Sequence, residues 1–174
     1  MFSKYGKSKD IPMHSGKINS FAWNVNASKF ATGHLDKLIN VFSIEQGRVS
    51  KTGPFKGHTD IAEKIVWHPS DPELFSSAGA DGCVKLWDCR TKKCAQSLQM
   101  KSENINLAWS PDSRCIAVGN KSDVLTFHDP RMQLNILQTE SFNYEVNEFG
   151  WMPSTSKHKD LFLITTGQGS VLVY

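Results

Sequence analysis

The sequence predicts an all-β propeller of about four blades, and three observations carry that prediction. Four of the five tryptophans recur as Trp23, Trp67, Trp109 and Trp151, at intervals of 44, 42 and 42 residues. About 40–45 residues is the length of one four-stranded propeller blade. Each of these indoles closes a short run in which apolar residues alternate, the period-2 pattern of a strand. Turn-forming residues and further short strands follow each one. No stretch holds the 3.6-residue period of an amphipathic helix, which places the chain among all-β folds.

The first repeat, 14–55, begins its strand at Ile18-Asn19-Ser20-Phe21-Ala22-Trp23 and continues with Lys29-Phe30-Ala31-Thr32-Gly33. The second, 56–98, has Lys64-Ile65-Val66-Trp67 and the turn His68-Pro69-Ser70-Asp71-Pro72. The third, 99–140, has Ile105-Asn106-Leu107-Ala108-Trp109, the turn Ser110-Pro111-Asp112-Ser113, and Cys115-Ile116-Ala117-Val118-Gly119. The fourth, 141–174, has Val146-Asn147-Glu148-Phe149-Gly150-Trp151 and ends on Ser170-Val171-Leu172-Val173-Tyr174, within the expected third strand. A third strand aligns across all four: Ile39, Val84, Leu125 and Val171 share one position, and Val41, Leu86, Phe127 and Val173 the position two further on. Residues 1–13 precede the repeats.

Composition narrows the classes of function. With 39% apolar and 21% charged residues the chain is expected to fold around a real core in water. The net charge of +3, from 20 Lys and Arg against 17 Asp and Glu, is too small to mark the whole surface as a polyphosphate binder. No run is apolar enough for a signal peptide or a membrane span, so an intracellular protein is expected. The cysteines Cys83, Cys89, Cys94 and Cys115 are too irregularly placed for a disulfide framework and suit a reducing compartment.

Catalytic, cofactor and metal roles find no motif. The six histidines form no close pair with an acidic partner at metal-ligand spacing, and Cys89 and Cys94 have four residues between them and no second pair downstream. There is no G-x-S-x-G nucleophile turn. Gly167-Gln168-Gly169-Ser170 lacks the Lys of a phosphate loop and lies where a blade turn belongs. The basic clusters are Lys4-Lys7-Lys9, Arg90-Lys92-Lys93 and Lys157-His158-Lys159. Of these, Arg90, Lys92 and Lys93 are the candidate RNA contacts, although no aromatic stacking platform lies beside them in sequence.

Gly57-His58 opens the second repeat and Trp87-Asp88 closes its third strand, and in this the chain resembles the WD-repeat family. The resemblance implies a hydrogen-bonded set of His58, Ser77, Asp81 and Trp87 inside the blade. A buried imidazole and indole need such partners. The first repeat keeps His14, Thr32 and Asp36 with Phe42 at the Trp position. The third and fourth have Ser122 and Gln168 at the Asp position and His128 and Tyr174 at the Trp position, so they are expected to depend more on packing. Rings of this family have about seven blades, so four repeats imply an open arc with uncovered apolar faces, a fragment or truncated gene product that is sticky or poorly stable alone. The competing reading has residues 1–13 supply an outer strand and close a four-bladed ring. Wedge-shaped WD blades suit a wider ring, which favours the arc.

More specific still are Lys101-Ser102-Glu103-Asn104-Ile105-Asn106-Leu107-Ala108-Trp109-Ser110-Pro111-Asp112, Ile116–Phe127 and Phe142-Asn143-Tyr144-Glu145-Val146-Asn147-Glu148. These are similar to the THO complex subunit 3 family, as are His14-Ser15-Gly16-Lys17-Ile18 and Gly57-His58-Thr59-Asp60, across nearly the whole chain and including the aberrant third repeat. The resemblance implies a non-enzymatic nuclear scaffold of the transcription-export (TREX) machinery. Such a subunit couples transcription to mRNA processing and nuclear export by binding other THO subunits, with RNA association indirect or weak, no membrane, no small-molecule substrate and no cofactor. The rival classes are a generic WD adaptor of a ubiquitin ligase or chromatin complex, and a propeller that binds RNA directly.

Overall fold

The computed structural model describes residues 16–153 and 161–174. It contains fifteen strands among them: β1 (Ile18–Trp23), β2 (Lys29–His34), β3 (Ile39–Glu45), β4 (Arg48–Phe55), β5 (Ala62–Trp67), β6 (Leu74–Gly79), β7 (Cys83–Asp88), β8 (Lys93–Gln99), β9 (Asn104–Trp109), β10 (Ile116–Asn120), β11 (Val124–Asp129), β12 (Asn135–Ser141), β13 (Val146–Trp151), β14 (Phe162–Thr166) and β15 (Val171–Val173). They form four antiparallel meanders, β1-β2-β3-β4, β5-β6-β7-β8, β9-β10-β11-β12 and β13-β14-β15. The outer strand that the competing, ring-closing reading takes from residues 1–13 lies outside the described residues.

Register shows why the tryptophan period has structural meaning. Trp23, Trp67, Trp109 and Trp151 pair with Phe30, Phe75, Ile116 and Phe162 of the next strand in their own sheets. Each first strand pair also carries an irregularity at the same place, Ile18/Ser20, Ala62/Lys64, Gly119/Asn120 and Val146/Glu148. An extra residue there bends the strand and sharpens the local twist. A second irregularity recurs between the third and fourth strands, at Val41/Phe42, Leu86/Trp87 and Phe127/His128.

The sheets stack face to face in chain order, and the core lies between them rather than inside any one. Ala31, Ile39, Val41 and Phe55 of the first blade pack on Ala62, Ile65, Trp67, Phe75 and Trp87 of the second. Val84 and Leu86 meet Leu107, Trp109, Ile116 and Val118, and Ala117 and Leu125 meet Phe149, Phe162 and Ile164. Every blade therefore has a back face, toward its predecessor, and a front face, toward its successor. Packing of β1 on β5, β5 on β9 and β9 on β13 carries the stack through all four blades, and no comparable packing joins the fourth blade to the first among the described residues. The described structure is an open arc. Strand alternation makes this two-faced burial, since successive side chains point to opposite sides of a sheet.

Close approach between blades demands small residues. A Cβ on Gly33 would sit 2.9 Å from the Ala62 carbonyl oxygen, and one on Gly119 would sit 2.6 Å from the Phe149 ring. Three residue types cap the turn after the first strand. Asn24 Oδ1 accepts the Lys29 amide at 2.9 Å, His68 Nδ1 the Asp71 amide at 2.9 Å and Ser110 Oγ the Cys115 amide at 2.9 Å. Asn24 Nδ2 also donates to the Pro72 carbonyl, which ties the first blade's turn to the second's.

Candidate functional site

The second blade brings His58, Ser77, Asp81 and Trp87 into one chain of hydrogen bonds. Trp87 Nε1–H donates to Ser77 Oγ at 2.8 Å, and Ser77 Oγ lies 2.6 Å from His58 Nε2. His58 Nδ1 stands 3.0 Å from both Asp81 carboxylate oxygens. The carboxylate accepts at Nδ1, so Nδ1 carries the imidazole proton and Nε2 accepts from the Ser77 hydroxyl. Burial pushes the His58 pKa below its ordinary value, against the pull of Asp81, and the ring is held neutral. Burial raises Asp81, but the amides of Cys83 and Thr59 and the His58 ring outweigh it, and its carboxyl ionises below the usual range.

The strands place these groups for local reasons. Ser77 lies on the buried β6, His58 on the approach to β5, and Asp81 in the β6–β7 turn, where Gly82 has φ +74°. Gly79 leaves room for the pair: a Cβ there would lie 2.5 Å from Asp81 Oδ1 and 2.6 Å from His58 Nδ1. All of this sits inside the blade, where it can fix the sheet but can meet no substrate.

In the first blade, Thr32 is buried on β2 and Asp36 Oδ1 accepts the Leu38 amide at 3.0 Å. His14 lies outside the described residues. The third blade, which is expected to depend more on packing, holds a polar set of its own. His128 is fully buried, with Nδ1–H donating to the Leu134 carbonyl at 3.0 Å and Nε2 accepting from the Thr126 hydroxyl at 2.8 Å. Asn120 Oδ1 takes the Ser122 and Val124 amides, the turn-bracing work of an aspartate. The imidazole at the tryptophan position finds partners on its own strand and in the β11–β12 turn, which an alignment to the second blade does not reveal.

Arg90, Lys92 and Lys93 fall together at the β7–β8 turn. The Arg90 guanidinium is held by Asp88, with Nε 2.9 Å from Oδ1 and Nη2 2.9 Å from Oδ2. Lys92 Nζ donates to the Thr52 carbonyl at 2.9 Å, and Lys93 is exposed at the start of β8. Arg131 clasps Asp129 in the same way at the β11–β12 turn, and that hydrogen-bonded pair brings the Asp129 pKa down to about 2. Lys157-His158-Lys159 lies outside the described residues.

A cleft of about 290 Å³ opens between the third and fourth blades, lined by Leu125, Phe127, Leu137, Trp151, Phe162 and Tyr174. It is largely apolar. Among the described residues no group of three or more His, Cys, Asp or Glu is arranged to hold a metal, and no helix is long and apolar enough to cross a membrane. Burial raises the thiol pKa values of all four cysteines, Cys89 to about 12 and Cys115 to about 11.

Stacked four-stranded wedges with an interior His–Ser–Trp chain define a WD-repeat protein. The chain belongs to that family, and the WD domain, G-beta repeat matches residues 7–43 and 48–88. Among individual proteins it is similar to THO complex subunit 3 from Arabidopsis thaliana, 40% identical over 169 residues that cover 95% of this chain and 52% of that protein. It is also similar to WD repeat-containing protein AAC3 from Dictyostelium discoideum, 30% identical over 95% of this chain and 38% of that protein. The Ribosome biogenesis protein WDR12 homolog of Nematostella vectensis is 27% identical over 69% of this chain and 35% of its own length. The chain thus spans about half the length of the first of these relatives and less of the others.

Proposed function

We propose that the chain is a non-enzymatic scaffold subunit of the THO complex, acting in the nucleus to couple transcription to mRNA processing and export. The supporting observation is the 40% identity to a THO complex subunit 3 maintained over 95% of the chain. That span takes in the third blade, where the polar set of WD blades is replaced by His128, Thr126 and Asn120. The site chemistry agrees with binding rather than turnover, because the ordered His, Ser and Asp of the second blade are consumed in holding its own sheet. Partners dock on blade edges and turns, which the fold supplies without fixing who they are. Affinity purification of the full chain from nuclear extract, followed by mass spectrometry, is expected to recover other THO subunits. Recovery of ligase or histone components in their absence would replace this reading with the general adaptor one.

Direct RNA binding through Arg90, Lys92 and Lys93 is the weaker reading. The Asp88–Arg90 and Lys92–Thr52 contacts already engage two of the three cations. Ultraviolet crosslinking is expected to show no RNA adduct on this turn.

A further inference from the structure

We propose that the groove under β12, between the second and third blades, binds an extended peptide segment of another protein that carries an acidic side chain. This goes beyond the THO reading and does not depend on it.

The groove comes from the third blade's own sequence, since both blades that wall it have their full four strands. In the second blade Lys85 of β7 reaches under the outer strand β8, only 8% exposed, and its Nζ donates to Ser97 Oγ at 2.8 Å. Register puts Thr126 and Thr139 of the third blade where the second has Lys85 and Ser97, and His128 and Ile136 where it has Trp87 and Cys94. A lysine and an indole are thus replaced by a threonine and an imidazole, and the space they fill in the second blade is open in the third. Cys94 packs against the core of its junction, whereas the larger and more apolar Ile136 is 48% exposed. A cavity of about 600 Å³ results, lined from Ile136 past Thr126 and Thr139 to Ser102 and Ser122.

Shape and lining together select the occupant. β12 is the edge of its sheet, so a row of backbone N–H and C=O groups without a strand partner runs beside the groove along Asn135–Ser141. The other two outer strands bear residues that discourage edge pairing, Arg48, Lys51 and Pro54 in β4 and Lys93 in β8, while β12 has no Lys, Arg or Pro. An added strand satisfies that row, and its alternate side chains point into the groove. Lys101 is the one charged side chain among the described residues that line it. Next to Lys101 in the chain, Ser102 Oγ accepts the Ser122 hydroxyl at 3.0 Å and keeps its own proton to donate. A cation and a free hydroxyl proton at one end of the groove match a carboxylate.

Peptide selection tests it. The full chain is used to select from a phage-displayed library of random heptapeptides, and the enriched sequences are made as fluorescent peptides and titrated by anisotropy. They are expected to be rich in Asp, Glu and β-branched residues and poor in Pro. Thr139→Lys places a guard residue on the exposed outer strand, and Lys101→Glu reverses the charge at the groove's end. Each is expected to weaken binding about tenfold or more, the loss of one dominant contact. Both positions are exposed, and retention of the β-sheet circular dichroism spectrum identifies folded samples. If either variant fails to fold, Ile136→Lys or Lys101→Gln takes its place with the same expected outcome. A library that yields no binder, or binders indifferent to Thr139→Lys, would overturn the proposal. Binders that lose affinity in Thr139→Lys but not in Lys101→Glu would overturn the acidic occupant. Growth of the wild type beyond monomer in sedimentation velocity, abolished by Thr139→Lys, would give the edge to a second copy and overturn it as well.

Discussion

Ser77 and His58 each stand between two partners in the second blade, so removal of either strands two others. Ser77→Ala takes away both the acceptor of Trp87 and the donor to His58. It is expected to cost about 2–4 kcal/mol in chemical denaturation, from about 1–3 kcal/mol for each buried group left unpaired. Gly79→Ala should destabilise by a similar route, with a methyl group forced against the His58–Asp81 pair, at about 1–3 kcal/mol. Acid acts on the same groups. His58, His68 and His128 all have pKa values below their ordinary 6.5, so the unfolded chain takes up protons that the folded chain refuses. Stability is therefore full above about pH 6.5 and falls as pH drops below it. Asp81, held below 3.8, adds a second loss at still lower pH. Thermal melts between pH 8 and pH 3 check the order of these two steps. Thiol chemistry gives another check: Cys89, buried with its pKa near 12, is expected to resist iodoacetamide at pH 8 in the folded chain and to react once the chain is unfolded.

At the level of strands and turns, the sequence made the repeat legible because side-chain alternation and the indole period are set by burial on both faces of each sheet. The third-strand alignment of Ile39, Val84, Leu125 and Val171 coincides with the observed ladders, where these residues pair with Gly33, Ala78, Gly119 and Thr165. Chemistry achieved by unlike residues was not legible. Asn24, His68 and Ser110 cap equivalent turns with three different acceptors. His128 stands where a tryptophan was sought and draws its partners from Thr126 and a carbonyl in the β11–β12 turn. The marker tryptophans also do more than the alternation suggests, since Trp67 and Trp109 reach across to the preceding blade. Trp109→Phe removes part of a buried ring and leaves Ser76 Oγ without its donor, and is expected to lower stability by about 1–3 kcal/mol in equilibrium unfolding. His128→Ala should cost more, about 2–4 kcal/mol, because it opens a cavity and strands both Thr126 and the Leu134 carbonyl.

Across the whole molecule, cohesion is nearest-neighbour: each blade is held by the one before and the one after, as in other repeat proteins. Among the described residues the end blades are held on one side only. Amide hydrogen exchange is therefore expected to run slowest in β6 and β10, which are covered on both faces, and faster in β1 and β15. Because every junction has the same construction, the repeat is a unit of inheritance as well as of shape. A duplicated segment spliced in whole finds a ready seat above and below, and slack in a connecting turn is absorbed, as the 44-residue first interval shows beside the two of 42. One residue gained or lost within a strand instead turns its remaining side chains over to the wrong sides. Lineages of such chains can thus lengthen or shorten by whole blades while remaining intolerant of the smallest slip inside one.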